Sequence, residues 1–515
     1  MRIVLVNPPS SSYRNAEEHL GIAYLRSFLK SKGFEVDIVD GYLLRMSCAE
    51  IVDTIVKDKD IGILGVSPSI DSLSEAIKIS EAVKKARSDI AVCWGGHLAS
   101  FSAKDLLNNN SSIDCVVRGE GEITFLEVVR TITLRKGMAF KGIRGIAYRR
   151  GDKVVFSKAR DLIENLDILP FPDRVNTQSA VKQGSVIQIS GSRGCYGNCS
   201  FCSVNSLYKL SSGASWRGRG AKNIVDELEY LNKKFGFSMF KFVDDSFFGP
   251  DKDWKKRAIK IADEIIARKL SVRFRISTRV NNVDRQVFSK LKQAGLYSVS
   301  VGVESGIQRA LNTFRKGTTV AQNKTALQIL HDLGIITLMG FIGFDPYTSL
   351  DEVDENLKFL EETLFCMSDV VSKSLYVHAE DALTKQLIKE GRITGRSFPN
   401  YTYAIRDKRV EMTLKCLETW NASNKALFYK ISDPLTAPRI TRRKDEPILL
   451  KLHRKMREMD LGVYKTIAKM VRWGYTEKTI ESYLEKLKKE FLPIWDDIEN
   501  QFNQLMGNYE YTSRG

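Results

Sequence analysis

Histidine is scarce in this chain, at five among 515 residues, and those nearest the densest group of cysteines are His97 and His331. A zinc site completed by a neighbouring histidine is therefore excluded there. No run of eighteen apolar residues occurs, so no membrane-spanning helix is expected. The opening "MRIVLVNPP" is a short apolar burst broken by two prolines, a buried strand entering a loop and not a signal peptide. The expectation is a cytoplasmic protein whose thiols stay reduced, where eight cysteines favour metal ligation over disulfides. Fixed-period repeats and low-complexity tracts are absent. Charge of one sign is not concentrated anywhere: of the net +17, about +3 falls in residues 1–150 and about +6 in 401–515. A nucleic-acid footprint gathers on one stripe or tail, so nucleic acid is not the expected partner. Solvated faces account for the excess, with an anionic substrate or a basic cleft as the other reading.

What is present is a globular composition, 43% hydrophobic and 27% charged, in a chain too long for one core. Over 1–150, apolar runs alternate with helical patterns: "RIVLVN", "EVDIVD", "IGILGVS", "IAVCWGG" and "DCVVRG" are separated by stretches such as "GIAYLRSFLKSKG". That alternation predicts βαβ units in a parallel sheet, with ligands at the strands' carboxyl ends. Residues 151–184, with "LIENLDILPFPDR", read as a linker. A second βα series follows, with strands at 186–190, 239–247, 273–278, 298–305 and 336–344, which predicts a full or partial barrel over 185–400. After about residue 405 helical periodicity dominates to 515.

"GCYGNCSFCS" (194–203) holds three of the eight cysteines, Cys195, Cys199 and Cys202. Chance gives CxxxCxxC with a probability of about 0.002 in such a composition. A closed zinc site needs four ligands, and a loop rich in Gly, Asn and Ser suits buried structural thiols poorly. A cubane iron–sulfur cluster normally takes four thiolates. Three leave one iron open to a small molecule.

This segment resembles the cluster loop of radical S-adenosylmethionine enzymes. In that family the open iron is chelated by the amino and carboxylate groups of S-adenosylmethionine, whose cleavage yields a 5′-deoxyadenosyl radical. The resemblance implies a 4Fe-4S cluster on Cys195, Cys199 and Cys202, and Phe201 before the third cysteine fits the pattern. It further implies cofactor contacts from Asp244 or Asp245 in "FVDDSFF", from Ser277 and Arg279 in "STR", and from Glu304 in "GVES". Phe341 and Gly343 in "GFIGFDP" complete the set.

Residues 1–150 resemble the cobalamin-binding domain that precedes one large class of these enzymes. Such domains carry SxL and then Gly-Gly about twenty-seven residues on; here Ser67-Pro68-Ser69 and Gly95-Gly96 have that spacing, with Ser69 in place of leucine. "VNPP", "GGHLAS" and "RGEGE" match as they stand. By resemblance, Asn7, Pro8, Ser67, Ser69, Gly95, Gly96, His97, Gly119, Glu120 and Glu122 face the corrinoid. The DxHxxG loop that supplies a cobalt-ligating histidine elsewhere is missing, and His19 reads as a helix-start residue. The implied architecture is α/β: a doubly wound, Rossmann-like cobalamin domain, a partial (β/α)6 TIM-like barrel, and a mainly helical C-terminal region that sets specificity.

The implied activity is C-methylation of an unactivated carbon through methylcobalamin and a 5′-deoxyadenosyl radical, on a small-molecule or peptide substrate in a biosynthetic pathway. An electron donor such as flavodoxin or ferredoxin is the implied partner. Rearrangement, cyclisation or oxidation within the same class is the alternative. Radical methylthiotransferases, acting on RNA or protein, are a second; they bind a further cluster through three N-terminal cysteines, and Cys48, Cys93 and Cys115 exist here. A non-catalytic cobalamin sensor has no use for an open iron–sulfur site.

Overall fold

The computed structural model describes residues 1–10, 17–135, 140–250, 253–378, 381–397, 400–436 and 444–507. The chain forms two compact units, Met1–Tyr196 with Ser203–Leu228, and Gly197–Cys202 with Glu229–Gly515.

The first unit is built on a seven-stranded sheet: β1 (Arg2–Asn7), β2 (Val36–Asp40), β3 (Ile61–Val66), β4 (Ala91–Trp94), β5 (Cys115–Val117), β6 (Ile146–Arg150) and β7 (Lys153–Phe156), in the order β2-β1-β3-β4-β5-β6-β7. β1 to β5 are parallel, as the alternation predicts. Successive strand residues point to opposite faces. Ile3, Leu5, Ile63, Cys93 and Val117 join one core with Tyr24, Phe28 and Phe125, while Val4, Val6, Leu64, Val92 and Trp94 join another with Ile51, Ile79 and Leu106. Each such side chain contributes about 1.5–3 kcal/mol by leaving water, which is why both faces must be covered by helices.

The sheet runs past the expected boundary at residue 150. β6 and β7 form an antiparallel hairpin in which Arg150 pairs with Lys153 across the two-residue turn Gly151-Asp152. The expected linker also carries the helix Thr177–Lys182 and lies within the first compact unit. Next come β8 (Ile187–Ile189), β9 (Ser192–Gly194) and β10 (Trp216–Gly218), the last two paired antiparallel. A buried ladder of charge ties these segments to the sheet domain. Glu18 pairs with Arg174 at 3.0 Å, Arg174 with Glu227 at 2.8 Å, and Glu227 with Arg219 at 2.5 Å. Pairing recovers only part of the cost of burial: at Glu18 desolvation outweighs Arg174 and Thr177 and holds the carboxyl above its usual range.

The second unit contributes five parallel strands, β11 (Met239–Phe242), β12 (Arg273–Arg279), β13 (Leu296–Glu304), β14 (Ile336–Phe341) and β15 (Met367–Ser368), adjacent in chain order and alternating with helices. A small hairpin of β16 (Ile393–Ser397) and β17 (Asn400–Tyr403) follows. The rest is helical, as expected: Lys408–Thr436, Glu446–Arg472 and Glu477–Gly507. Trp420 meets Trp495 at 5.3 Å between ring centroids, and Asp460 accepts hydrogen bonds from Trp420 Nε1 at 2.8 Å and Asn424 Nδ2 at 2.7 Å. These helices belong to the same compact unit as β11 to β15.

Candidate functional site

The parallel strands of the first unit end in short loops that bring distant residues together. Ser67 follows β3 and donates its amide to Val6 O at 3.0 Å; Gly95 follows β4 and donates to Val66 O at 3.0 Å. Gly96 opens the helix Gly96–Asn109 at φ +91°, and a Cβ there would stand 3.0 Å from Ser67 Oγ. A Cβ on Gly95 would meet nothing nearer than Val117, at 3.8 Å. Ser69, Gly96 and His97 are exposed. The result is an open stretch of backbone at the end of β4 that an elongated ligand tail can approach closely. Asn7 instead turns to Asp40, its Nδ2 donating to Oδ1 at 2.7 Å, and Pro8 is buried.

Gly119 takes φ +77° and donates its amide to Ser100 Oγ at 3.0 Å. Glu120 and Glu122 pair inward: Glu120 with Arg193 at 3.2 Å and Arg217 at 2.9 Å, Glu122 with Arg193 at 2.5 Å. Burial alone would raise the Glu122 carboxyl, but the charge and hydrogen bond of Arg193 overcome it and hold it below the usual range. His19 caps the helix Leu20–Lys30, its Nδ1 accepting from the Ile22 amide at 3.3 Å. Burial lowers its pKa. Its ring is thus a helix-start group, as its sequence position predicts.

Of the cluster cysteines, Cys199 is buried, while Cys195 and Cys202 are half-buried. Among the described residues no three Cys, His, Asp or Glu side chains are gathered as a ready-made metal-ion site. The donor set and its surroundings nonetheless fit a cluster. Arg279 Nη1 lies 3.3 Å from Cys199 Sγ, a fixed cation beside a thiol that must ionise to bind iron. A Cβ on Gly197 would stand 2.0 Å from that same Nη1, so any larger residue would displace the guanidinium. Ser200 pins the loop, its amide donating to Phe314 O at 2.9 Å and its hydroxyl to Thr313 O at 2.7 Å. Phe201 packs edge-on against Phe314 at 5.2 Å.

Of the other thiols, Cys93, Cys115, Cys366 and Cys416 are buried and Cys48 is half-buried. Burial pushes Cys366 up to about 12 and Cys416 up to about 11. Cys93 and Cys115 are buried neighbours on β4 and β5 with sulfurs 3.5 Å apart, and the Cys48 thiol donates to Glu75 O.

At the strand ends of the second unit, Asp244 is buried and Asp245 exposed just past β11. The Ser277 carbonyl, on β12, accepts the Phe247 amide at 2.9 Å. Arg279 ends β12, and its second arm reaches Lys316 O. Glu304 ends β13 in the left-handed region at φ +70° and pairs with Lys316 Nζ at 2.8 Å. That pair covers Gly302, where a Cβ would stand 2.5 Å from Glu304 Oε1 and 2.6 Å from Lys316 Nζ. Gly302 is in register with the exposed Gly340 of β14. Phe341 is buried against Phe359 at 5.8 Å, and Gly343 donates its amide to Lys373 O while its carbonyl accepts from Asn356 Nδ2. Lys316 escapes a reading by motif. Lys316 lies outside any strand end, and nothing in "FRKGTT" marks it.

Two stretches of the chain match known domain families. Residues 11–129 match the B12 binding domain and residues 189–360 the Radical SAM superfamily. An uncharacterized methyltransferase of Pyrococcus horikoshii is 32% identical over 370 residues, covering 70% of this chain and 78% of that protein. The anaerobic magnesium-protoporphyrin IX monomethyl ester cyclase of Rubrivivax gelatinosus is 31% identical over 381 residues, 70% of this chain and 66% of that one. Among solved structures, the cobalamin-dependent S-adenosylmethionine radical enzyme OxsB with aqua-cobalamin bound superposes with a TM-score of 0.80 over 98% of this chain and 80% of its own, at 20% identity. That likeness is one of fold. The chain belongs to the cobalamin-binding radical S-adenosylmethionine enzymes. Cobalamin, S-adenosylmethionine and a 4Fe-4S cluster are the cofactors of its two domains. Among the described residues, no helix is long and apolar enough to cross a membrane.

Proposed function

We propose that this enzyme transfers a methyl group to an unactivated carbon of a small-molecule or peptide substrate. The observation that carries the reading is the union of a B12 binding domain and a radical S-adenosylmethionine domain in a chain 32% identical to a methyltransferase over 78% of that protein. When bound, the two cofactors supply a transferable methyl group and a carbon-centred radical. Each methylation then consumes two S-adenosylmethionines and two electrons from a flavodoxin- or ferredoxin-type donor. It yields methylated substrate, S-adenosylhomocysteine, 5′-deoxyadenosine and methionine, the substrate hydrogen ending on the deoxyadenosine.

The residues divide the work. Cys195, Cys199 and Cys202 hold the cluster, with Arg279 beside the Cys199 thiolate. Glu304 and Lys316 present a carboxylate and an ammonium over the glycine-lined ends of β13 and β14, complementary to the amino and carboxylate groups of a bound amino acid. Ser67, Gly95 and Gly96 form the cradle for the corrinoid tail. Two arguments count against the methylthiotransferase alternative. Cys93 and Cys115 are interior strand thiols, and the Cys48 thiol is directed to a backbone carbonyl. Cyclisation, the second reading, is favoured by the likeness to the Rubrivivax cyclase.

Turnover with methyl-deuterated S-adenosylmethionine, reductant and cobalamin separates the two. Methylation gives deuterated methyl in the product, with S-adenosylhomocysteine and 5′-deoxyadenosine in near-equal amounts. Converted substrate with deoxyadenosine and no label assigns the enzyme to cyclisation or oxidation.

A further inference from the structure

Glu120 and Glu122 stand at the carboxyl edge of the first sheet, where the "RGEGE" pattern implies corrinoid contacts. Both carboxylates instead reach arginines of the β9–β10 ribbon. Arg193 of β9 and Arg217 of β10 are cross-strand partners. Arg217 Nη1 donates to Glu120 at 2.9 and 3.0 Å and to Ile163 O at 2.8 Å. Arg193 meets Glu120 at 3.2 Å and Glu122 at 2.5 Å, and Glu120 Oε2 also accepts the Ile163 amide at 2.8 Å. One carboxylate thus gathers two guanidinium groups and a backbone amide. The side chains of Arg217 and Glu120 are only 5% and 11% exposed, so little water is present to substitute for it.

β9 ends at Gly194, the residue bonded to Cys195. Gly194 sits at φ +82°, and a Cβ there would stand 1.8 Å from Ser215 O, so the ribbon is closed at this point. The path by which the chain reaches Cys195 is therefore set by the ribbon, and the ribbon's orientation by the two arginines. We propose that Glu120 is a positioning residue for Cys195, acting through Arg193 and Arg217 on the backbone leading to it, and is not a corrinoid contact. The proposal rests on Cys195 being an iron ligand. Metal ligands must be held within a few tenths of an ångström, and a neutral side chain at 120 leaves Arg217 short of its counter-charge and Arg193 with Glu122 alone.

The test compares wild type, Glu120→Gln, Glu120→Asp and Cys195→Ala, each reconstituted anaerobically. Iron per chain is measured after gel filtration, the reduced cluster by spin resonance, and hydroxocobalamin affinity by absorbance titration. Glu120→Gln is expected to bind hydroxocobalamin within twofold of wild type. It should keep less than half the iron, with altered g-values, and Glu120→Asp should restore most of both. Iron lost by Cys195→Ala but kept by Glu120→Gln overturns the positioning role alone, while iron kept by Cys195→Ala overturns the ligand assignment with it. A tenfold loss of hydroxocobalamin affinity in Glu120→Gln makes Glu120 a corrinoid contact and also overturns the proposal. Should Glu120→Gln not fold, Glu120→Asp is judged by the same readings, with a partial iron loss expected.

Discussion

Gly95 and Gly96 are neighbours with different reasons to be glycine. Gly96 needs its left-handed backbone, which costs a side-chain-bearing residue about 1–3 kcal/mol. Gly95 is extended at φ −154°, and a Cβ there meets only Val117, so the fold makes no demand on it. Gly95→Val is expected to keep the wild-type melting temperature within about 2 °C while weakening cobalamin binding more than tenfold, and Gly96→Val to lower both. Absorbance titration beside a thermal melt checks this; wild-type affinity in Gly95→Val would remove the corrinoid from that edge. At this scale the sequence shows what is local. Three thiols within eight positions and a Gly-Gly at a strand end carry their own spacing signal. Lys316 does not, because its role arises only where β13 and the loop carrying it converge. The partners of Glu120 were equally hidden, since Arg193 and Arg217 lie 73 and 97 positions away.

Elements are legible when periodicity and punctuation agree. β1 to β5 alternate with helices whose starts are marked, as at Ser47 and Glu50, which form a capping box. The β6–β7 hairpin is poorly legible because Arg149, Arg150, Asp152 and Lys153 obscure its alternation. Only Gly151-Asp152, at a position suited to a two-residue turn, signals it. The helix Leu20–Lys30 offers a test at this level. His19 accepts its N-terminal hydrogen bond, so His19→Ala is expected to cost about 0.5–1 kcal/mol, as lost caps do. The spin-resonance spectrum of the protein-bound cobalt should not change. A changed hyperfine pattern would falsify the capping role as the residue's main one.

For the molecule as a whole the net charge is +17, but the charges that organise the first unit are interior and balanced. Their stability depends on pH in a definite direction. Glu122 is depressed in the folded chain, so its contribution is complete above the unfolded value of about 4.3 and is lost as pH falls through the folded one. The advantage of wild type over Glu122→Gln, about 3 kcal/mol for one member of a buried pair, is expected to hold from pH 8 to 5 and to shrink below pH 4. Urea unfolding of the two apoproteins at pH 7 and pH 3.5 measures it, and an equal gap at both values refutes the assignment. The Glu18–Arg174–Glu227–Arg219 ladder also has a consequence in time. Glu18 and Glu227 leave the ribosome about 10–40 s apart at ordinary synthesis rates. Until Arg174 emerges, the nascent sheet carries a carboxylate with no counter-charge at a site built to exclude water, and until residue 227 emerges Arg174 itself is half-paired. The first unit, though N-terminal, is thus completed only when nearly half of the protein has been made.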